Sequence, residues 1–438
     1  MNRHSVKVSL FSAIIMGLGQ IINKQYIKAI LFFLIQITGI IYFVTIFPKH
    51  FMGLVTLGDV AQTVVNGEIV FIDNSIYLMV YGLVALIIAG IIISLYIFNI
   101  RDAFNNGKLI ERGFETLDFW KELKLASSRQ FPIFLLILPA LGILFFTIFP
   151  LIFGILFAFT NYDFDHLPPG HLIDWTGFAS FKELILLDDY SYTFYNVSLW
   201  TVIWAIVATI TTYFGGMLVA ILIQQRGIKF KKFWRTIYVL PYAIPQFISL
   251  LVWKNLMNED FGPINEYLMT LGLNTVPWFN DPTWAKFSII LVNMWIGIPV
   301  SMILITGILT TIPKDLYEAA DVDGANDYQK FRLITLPMIL FSTAPILIMQ
   351  FAGNINNFNV IYLLTDGGPI GEGYHPTAGS TDLLVTWLFK LSGLGNSGMP
   401  PQYNLASAIG IIIFVVIATI SIISFRRTKS FKESDMIQ

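Results

Sequence analysis

Gln350, Asn354 and Asn357 recur at i, i+4 and i+7 in the segment QFAGNINNFNV, a spacing that stacks three amides on one face of a helix. Tyr242, Gln246 and Ser249 repeat the pattern in PYAIPQFIS. Phe351 and Phe358, seven residues apart, form a stripe beside the first set. Amides donate and accept, hydroxyls do both, and flat rings cover C–H faces, so such positions suit a neutral polyol. Packing is the competing use, because Asn and Gln also bind helices to one another in lipid. Two matching stripes favour a site over packing. Asn356 and Asn359 point to the opposite face, where a bond to a neighbouring helix is expected.

Other chemistries find little material. There is no cysteine, which excludes thiolate metal sites and cysteine nucleophiles. The five histidines are scattered with no i,i+4 pair, so no metal site is expected. The only Gly-Lys pair, Gly107-Lys108, lacks the glycine spacing and the Ser/Thr of a phosphate-binding loop. Asp163 and Asp165 form a D-x-D that some glycosyl-transferring enzymes use for a metal, with Asp174 further on. In a polar loop, alone, it reads as solvated carboxylates. No cofactor and no catalytic residue is expected.

The elements that carry the stripes are membrane helices. Of 438 residues, 55% are hydrophobic and only 13% charged. A span needs about 20 apolar residues, and about eight runs of that kind are present. They lie near 26–47, 76–100, 132–160, 198–224, 235–257, 285–310, 338–364 and 405–425. Runs this long mean helices, giving an all-α polytopic membrane protein. Pro241 and Pro245 predict a kinked or partly unwound fifth run, and Asn293, Trp295, Gly297 and Pro299 predict a break in the sixth. Breaks of that kind point to substrate sites. The earlier stretch Leu10–Ile22, with its GLGQ interruption, reads as an interfacial or re-entrant helix and not as a cleavable signal. Residues 161–197, 258–284 and 366–404 are rich in Gly, Pro, Asp and aromatics and suit contact with an external partner.

Charge sets the orientation. All but five of the 27 lysines and arginines fall on one side of the eight runs; the five are Lys49, Lys182, Lys254, Lys286 and Lys390. The positive-inside rule then places both termini in the cytoplasm. No ionisable group lies inside runs five to eight away from their ends, which weighs against an ion-coupled secondary sugar transporter.

Between the sixth and seventh runs lies a polar island, 312–337, on the cytoplasmic side. Pro313 stands where a helix begins, Lys314–Val322 is a good helix run, and Gly324 can end it in the left-handed conformation. Asn326 can cap a second helix, which Pro337 is expected to separate from the next span. Glu318, Ala319, Ala320, Gly324, Ile334 and Leu336-Pro337 resemble the EAA signature of ATP-binding-cassette importer permeases. That resemblance implies a docking device: Ala319 and Ala320 offer a low surface to another protein, Glu318 a charge, and the ATPase is a separate subunit.

LPYAIPQFIS, WIGIPV, EAADVDG, NINNFNVIYLLTDGGP and AGSTDLLV together resemble the MalF-type permease of maltose/maltodextrin importers, in its short Gram-positive form, from about residue 130 to the end. The resemblance implies a type I ABC importer permease fold, with residues 131–438 as transmembrane core and 1–130 as an N-terminal part holding two spans and a cytoplasmic loop. It implies a cell-membrane heterodimer with a MalG-like permease, two cytoplasmic ATPases and an external sugar-binding lipoprotein, moving maltodextrin or maltose by alternating access. The same motifs would serve galacto-oligosaccharides or another oligosaccharide. The sugar-contacting positions of the family fall on Tyr242, Gln246, Ile296, Gly297, Val300, Gly353, Asn354 and Asn357. Gln246, Val300 and Gly353 depart from the enteric pattern of Ser, Tyr and Phe. Two lost aromatics imply a wider cavity and longer maltodextrins. Residues 161–197 are too short for the large external domain of the enteric form.

Overall fold

A computed structural model of the chain describes residues 4–65, 68–116, 119–129, 131–225, 227–395 and 398–427. It divides into two compact units, Met1–Gly177 and Phe178–Gln438. Among the described residues seven helices are long and apolar enough to cross a membrane, and one bent helix pair supplies the eighth expected run.

In the first unit, α1 (His4–Ile14) and α2 (Leu18–Ile22) turn about Gly17, whose φ is +94°. Neither is long enough to cross: at about 1.5 Å per residue, α1 falls well short of a hydrocarbon core of about 30 Å. The GLGQ interruption is therefore a tight turn. α3 (Tyr26–Ile41) runs through a π-turn, Tyr42–Ile46, into α4 (Phe47–Thr56). A hairpin of β1 (Gln62–Val65) and β2 (Glu68–Phe71) follows, with Gln62 opposite Phe71. The 37-residue α5 (Ser75–Glu111) starts at Asn74, whose side chain accepts from the N–H groups of Ile76 and Tyr77. α6 (Phe119–Arg129) and α7 (Phe131–Ile143) lead through a second π-turn, Leu144–Ile148, to α8 (Phe149–Phe157).

α1 and α2 are fixed to the far end of α5 by polar groups. Asn99 donates to the Ser12 carbonyl at 3.0 Å and accepts from the Gly17 N–H at 3.2 Å. Gln20 donates to Asp102 at 3.0 Å, and Asp102 accepts from Lys28 at 2.9 Å. Asn23 donates to the Ala103 carbonyl at 3.1 Å. Gly17, Gln20 and Asn23 of GLGQIINKQ are thus spent on one buried network.

In the second unit, short α9 (Ala179–Leu186) precedes α10 (Asp188–Gln224). α11 (Lys231–Ala243) and α12 (Gln246–Leu256) form the bent pair, at 91°. Pro241 and Pro245 account for that bend, as expected, since neither can donate to the helical ladder. Then come α13 (Pro263–Thr270), α14 (Pro282–Thr311), α15 (Lys314–Val322), α16 (Asp327–Lys330), a third π-turn (Phe331–Thr335), α17 (Leu336–Ile355), α18 (Phe358–Thr365), α19 (Leu384–Leu391) and α20 (Tyr403–Arg427). α10 and α14 approach closely because small residues face each other. A side chain at Gly216 would collide with Ser301, and one at Gly297 with Thr212. In lipid, where apolar surface has no water to leave, such close packing carries the association.

Three sequence expectations change here. The sixth run is unbroken: α14 continues through Pro299, and Gly297 serves the contact with Thr212. The break lies in the seventh run, at Asn356–Asn357, so Gln350, Asn354 and Asn357 do not share a single helix. Pro337 does not end the second island helix either. All three π-turns stand just before a proline at the second position of the next helix: Pro48, Pro150 and Pro337. Proline clashes with the carbonyl four residues back, here Val44, Phe146 or Leu333, and the wider π-turn moves that carbonyl away. The helix survives.

Candidate functional site

The break at Asn356–Asn357 gathers the amides that the sequence spread along one face. Asn354, in the last turn of α17, is buried and donates from Nδ2 to Thr209 Oγ1 of α10 at 2.9 Å. Its backbone carbonyl accepts from Trp204 Nε1 at 3.1 Å. Asn357 caps α18, and its Nδ2 stands 3.5 Å from both Asn354 Oδ1 and Asn293 Oδ1 of α14. One turn along, Gln350 Nε2 donates to Thr212 Oγ1 at 2.9 Å. Thr209 and Thr212 in turn donate to the carbonyls of Ala205 and Ala208 at 2.7 and 2.6 Å.

The contacts of Asn357 with Asn293 and Asn354 are at the outer limit of hydrogen bonding, whereas the bonds of Asn354 to Thr209 and of Gln350 to Thr212 are firm. A ring of uncharged donors and acceptors with long internal contacts can exchange them for ligand hydroxyls at little cost. Around it lies an apolar core of Trp200, Trp204, Leu250, Ile289, Val292 and Ile361.

The remaining predicted contacts are placed differently. Tyr242 and Gln246 lie on opposite sides of the 91° bend, so they form no common stripe with Ser249. Both are exposed, as are Val300 and Gly353. Ser249 is buried and its hydroxyl has no partner. Ile296 packs against the apolar core, and the side of Gly297 that would carry a Cβ is closed by Thr212. A Cβ on Gly353 would meet nothing within 4 Å. Asn356 and Asn359 are exposed and have no side-chain bond to a neighbouring helix among the described residues, contrary to expectation. Phe358 stacks on Tyr362 at 4.9 Å and meets Phe389 edge-on at 4.9 Å, not pairing with Phe351.

The polar island folds as the sequence suggests up to its second helix. α15 ends in a Schellman turn: Gly324, at φ +77°, donates to the Asp321 carbonyl at 3.1 Å, and Ala325 to the Ala320 carbonyl at 2.9 Å. Asn326 and Gln329 form a reciprocal capping box. Lys330 binds Asp321 and Tyr317 Oη meets Thr335 Oγ1 at 2.8 Å, so α15 is strapped to α16 and the π-turn. Glu318, Ala319 and Gly324 are exposed, Ala320 half-buried, and Val322 stands 88% exposed beside them.

The segment between α18 and α19 is held by a buried ion pair. Lys390 Nζ lies 2.7 Å from Asp382 Oδ2, which also accepts from the Gly379 N–H at 2.7 Å. In the same segment His375 stacks on Tyr190 and accepts at Nδ1 from the Thr377 N–H. Burial pushes the His375 imidazole below its ordinary value, against the pull of Asp189.

Residues 212–429, which span the site and the island, match the family described as the binding-protein-dependent transport system inner membrane component. The chain is 39% identical, over 98% of its length and 99% of the relative's, to the galactooligosaccharides transport system permease protein GanP of Bacillus subtilis. It is 38% identical over 100% of both chains to the maltodextrin transport system permease protein MdxF of the same organism. This chain belongs to that family of importer permeases. The permease is 25% identical to a chain in the crystal structure of a bacterial ABC transporter that imports alginate, with a TM-score of 0.57, covering 71% of this chain and 98% of that one.

Membership settles the class of activity. The permease is a multi-pass protein of the cell membrane with a type I importer fold, and not an enzyme. ATP hydrolysis belongs to separate ATPase subunits, and permeases of this kind work with a second permease and a solute-binding protein.

Sequence reasoning missed Thr209 and Thr212, which hold Asn354 and Gln350. The signal was the threonine-rich run VATITTY inside the fourth apolar run.

Proposed function

We propose that the permease moves a maltodextrin or maltose across the membrane by alternating access, with the amide cluster Asn293, Asn354 and Asn357 as its sugar-contacting centre. The observation that carries this reading is the loose contact of Asn357 with two other amides at 3.5 Å, a set of polar groups that hydroxyls can enter. Asn354 and Asn357 contact the sugar directly, and Gly353, Val300, Tyr242 and Gln246 shape the space beside them. Ile296 and Gly297 contribute backbone and packing.

The remaining subunits follow from the same reading. A MalG-like permease completes the translocation path, two ATPases seat against Glu318, Ala319, Ala320 and Gly324, and an external sugar-binding lipoprotein delivers the cargo. Both termini face the cytoplasm, as the charge asymmetry supports. Residues 131–438 form the functional core, with 312–337 as the coupling loop, and 1–130 an accessory part.

A second cargo has a specific observation behind it. The relative named for galactooligosaccharides matches the whole chain about as well as the one named for maltodextrin. The deciding experiment is ATP-dependent uptake into vesicles holding the full complex, with labelled maltodextrins and galacto-oligosaccharides of graded length. Uptake of maltodextrins alone supports the main reading and uptake of galacto-oligosaccharides alone replaces it. Uptake without the ATPase, under an ion gradient, would refute both.

A further inference from the structure

Tyr317 stands one residue before Glu318-Ala319-Ala320, and it is half-buried where Glu318 and Ala319 are exposed. Its hydroxyl reaches away from that surface to Thr335 Oγ1, 18 residues on, at 2.8 Å. Thr335 is buried and is the last residue of the third π-turn. Its Oγ1 donates to the Lys330 carbonyl at 3.4 Å, five residues back, where a threonine in an α-helix bonds four back. With the Thr335 proton directed there, Tyr317 is the donor to Thr335, and the three groups form a chain.

A second contact lies one turn away on both partners. Lys330 binds Asp321, and Tyr317 and Asp321 are four residues apart, on one face of α15. Lys330 and Thr335 are five apart. At about 100° per residue, five α-helical steps would turn them about 140° from each other. The π-turn removes that mismatch. Its bonds run to the fifth residue back, as from Leu336 N–H to the Phe331 carbonyl, so Lys330 and Thr335 stack on one side. Pro337 calls for the π-turn, and the π-turn in turn aligns both contacts with α15. One bond would leave α15 free to swivel, whereas two a turn apart fix its angle. Asp321 is exposed, and such ion pairs hold little by themselves, so the hydroxyl bond at buried Thr335 is the firmer of the two.

We propose that Tyr317 is a positioning residue of the coupling step: its bond to Thr335 passes a displacement of α15 into α17, and Lys330 keeps the two in register. The inference rests on the reading of α15 as the ATPase seat. It divides that helix by task, with Glu318, Ala319 and Ala320 for docking and Tyr317 for transmission. Without the Tyr317 hydroxyl the ATPases still seat and hydrolyse, but less sugar moves for each ATP spent.

The test uses the full complex in lipid vesicles, with labelled maltodextrins and galacto-oligosaccharides as cargo and with uptake and ATP hydrolysis measured together. Tyr317→Phe should lower the sugar moved per ATP at least about fivefold. Loss of stability alone would reduce the amount of working complex and not this ratio. Thr335→Val should behave like Tyr317→Phe, and Thr335→Ser, which keeps the hydroxyl, like wild type. The double variant Tyr317→Phe with Thr335→Val should be no worse than Thr335→Val alone. Because the chain has no cysteine, a photocrosslinker on Val322→Cys reports from a single position on α15. Capture of the ATPase with and without Tyr317→Phe, together with the fallen ratio, supports the inference. An unchanged ratio with capture in both, additive losses in the double variant, or failure of Thr335→Ser overturns it and leaves the docking reading standing. Capture lost only with Tyr317→Phe makes Tyr317 part of the seat and overturns it too. No capture in either background overturns the docking reading and this inference with it.

Discussion

Asn357 at the head of α18 lies 3.5 Å from Asn293 of α14, across 64 residues of sequence and beside a break in the seventh span. The contact joins α14, before the polar island, to α18, the part of the seventh span beyond its break. Any change in the angle between those helices alters this distance first, because the bond has no slack left.

Asn354→Ala should reduce uptake by at least about tenfold, equivalent to about 1.4 kcal/mol of binding or transition-state energy, while subunit assembly is preserved. Thr209→Val, which removes the anchor of Asn354 together with a bond of Thr209 to its own helix, should raise the KM for sugar with less change in maximal rate. Vesicle uptake measures both. Loss of assembly together with uptake in Asn354→Ala would assign the amide to packing.

Gly324→Ile should leave membrane insertion intact and uncouple the ATPases. Nothing lies within 4 Å of its Cβ position, so the damage is confined to the φ of +77° and to the bulk presented at the surface. The left-handed backbone alone costs about 1–2 kcal/mol for a side-chain-bearing residue. Transport-stimulated ATP hydrolysis in the assembled complex checks this, and wild-type transport would refute the docking role.

Gly353→Phe should shorten the longest maltodextrin accepted. A Cβ added at Gly353 meets nothing within 4 Å, so a side chain there enters open space. Competition by graded oligosaccharides reads the shift; short sugars should be transported much as before.

Asp382→Asn or Lys390→Met should each destabilise the permease by about 3–5 kcal/mol, because a buried charge is left without its partner. The double variant Asp382→Leu with Lys390→Met should recover most of that. Thermal unfolding in detergent, arranged as a double-mutant cycle, measures the coupling.

His375 gives the segment between α18 and α19 a dependence on pH. Its folded pKa lies below the 6.5 of a free imidazole, so its contribution is full above that value and is lost as pH falls through the folded pKa. Protection of this segment from protease should drop between neutral pH and about pH 5. His375→Gln should flatten the profile.

Much of this was readable from the chain. The apolar runs announced their helices because lipid permits no other open backbone structure. Pro241 and Pro245 announced the bend, and Gly324 the end of α15. What escaped notice shares a cause. Thr209 bonds to its own helix as well as to Asn354, and in sequence a threonine doing the first looks like filler. The break at Asn356–Asn357 contains neither Gly nor Pro, whereas Gly297 and Pro299 mark no break at all. Gly297 was required by a neighbour, Thr212, that no local pattern reveals. Lys390 counted in the sequence only as one of five outer cations, and its burial against Asp382 depends on a fold that no local pattern reveals.

The π-turn before Pro337 makes one uninterrupted rod of Asp327–Ile355, from the strapped island to Asn354. At about 1.5 Å per residue the rod is roughly 40 Å long. Such a rod acts as a lever: a tilt of a few degrees at the island end carries the Asn354 end farther than a hydrogen bond can stretch. The amide cluster is therefore geared to small movements at a distance, and a hinge at Pro337 would have thrown that gearing away.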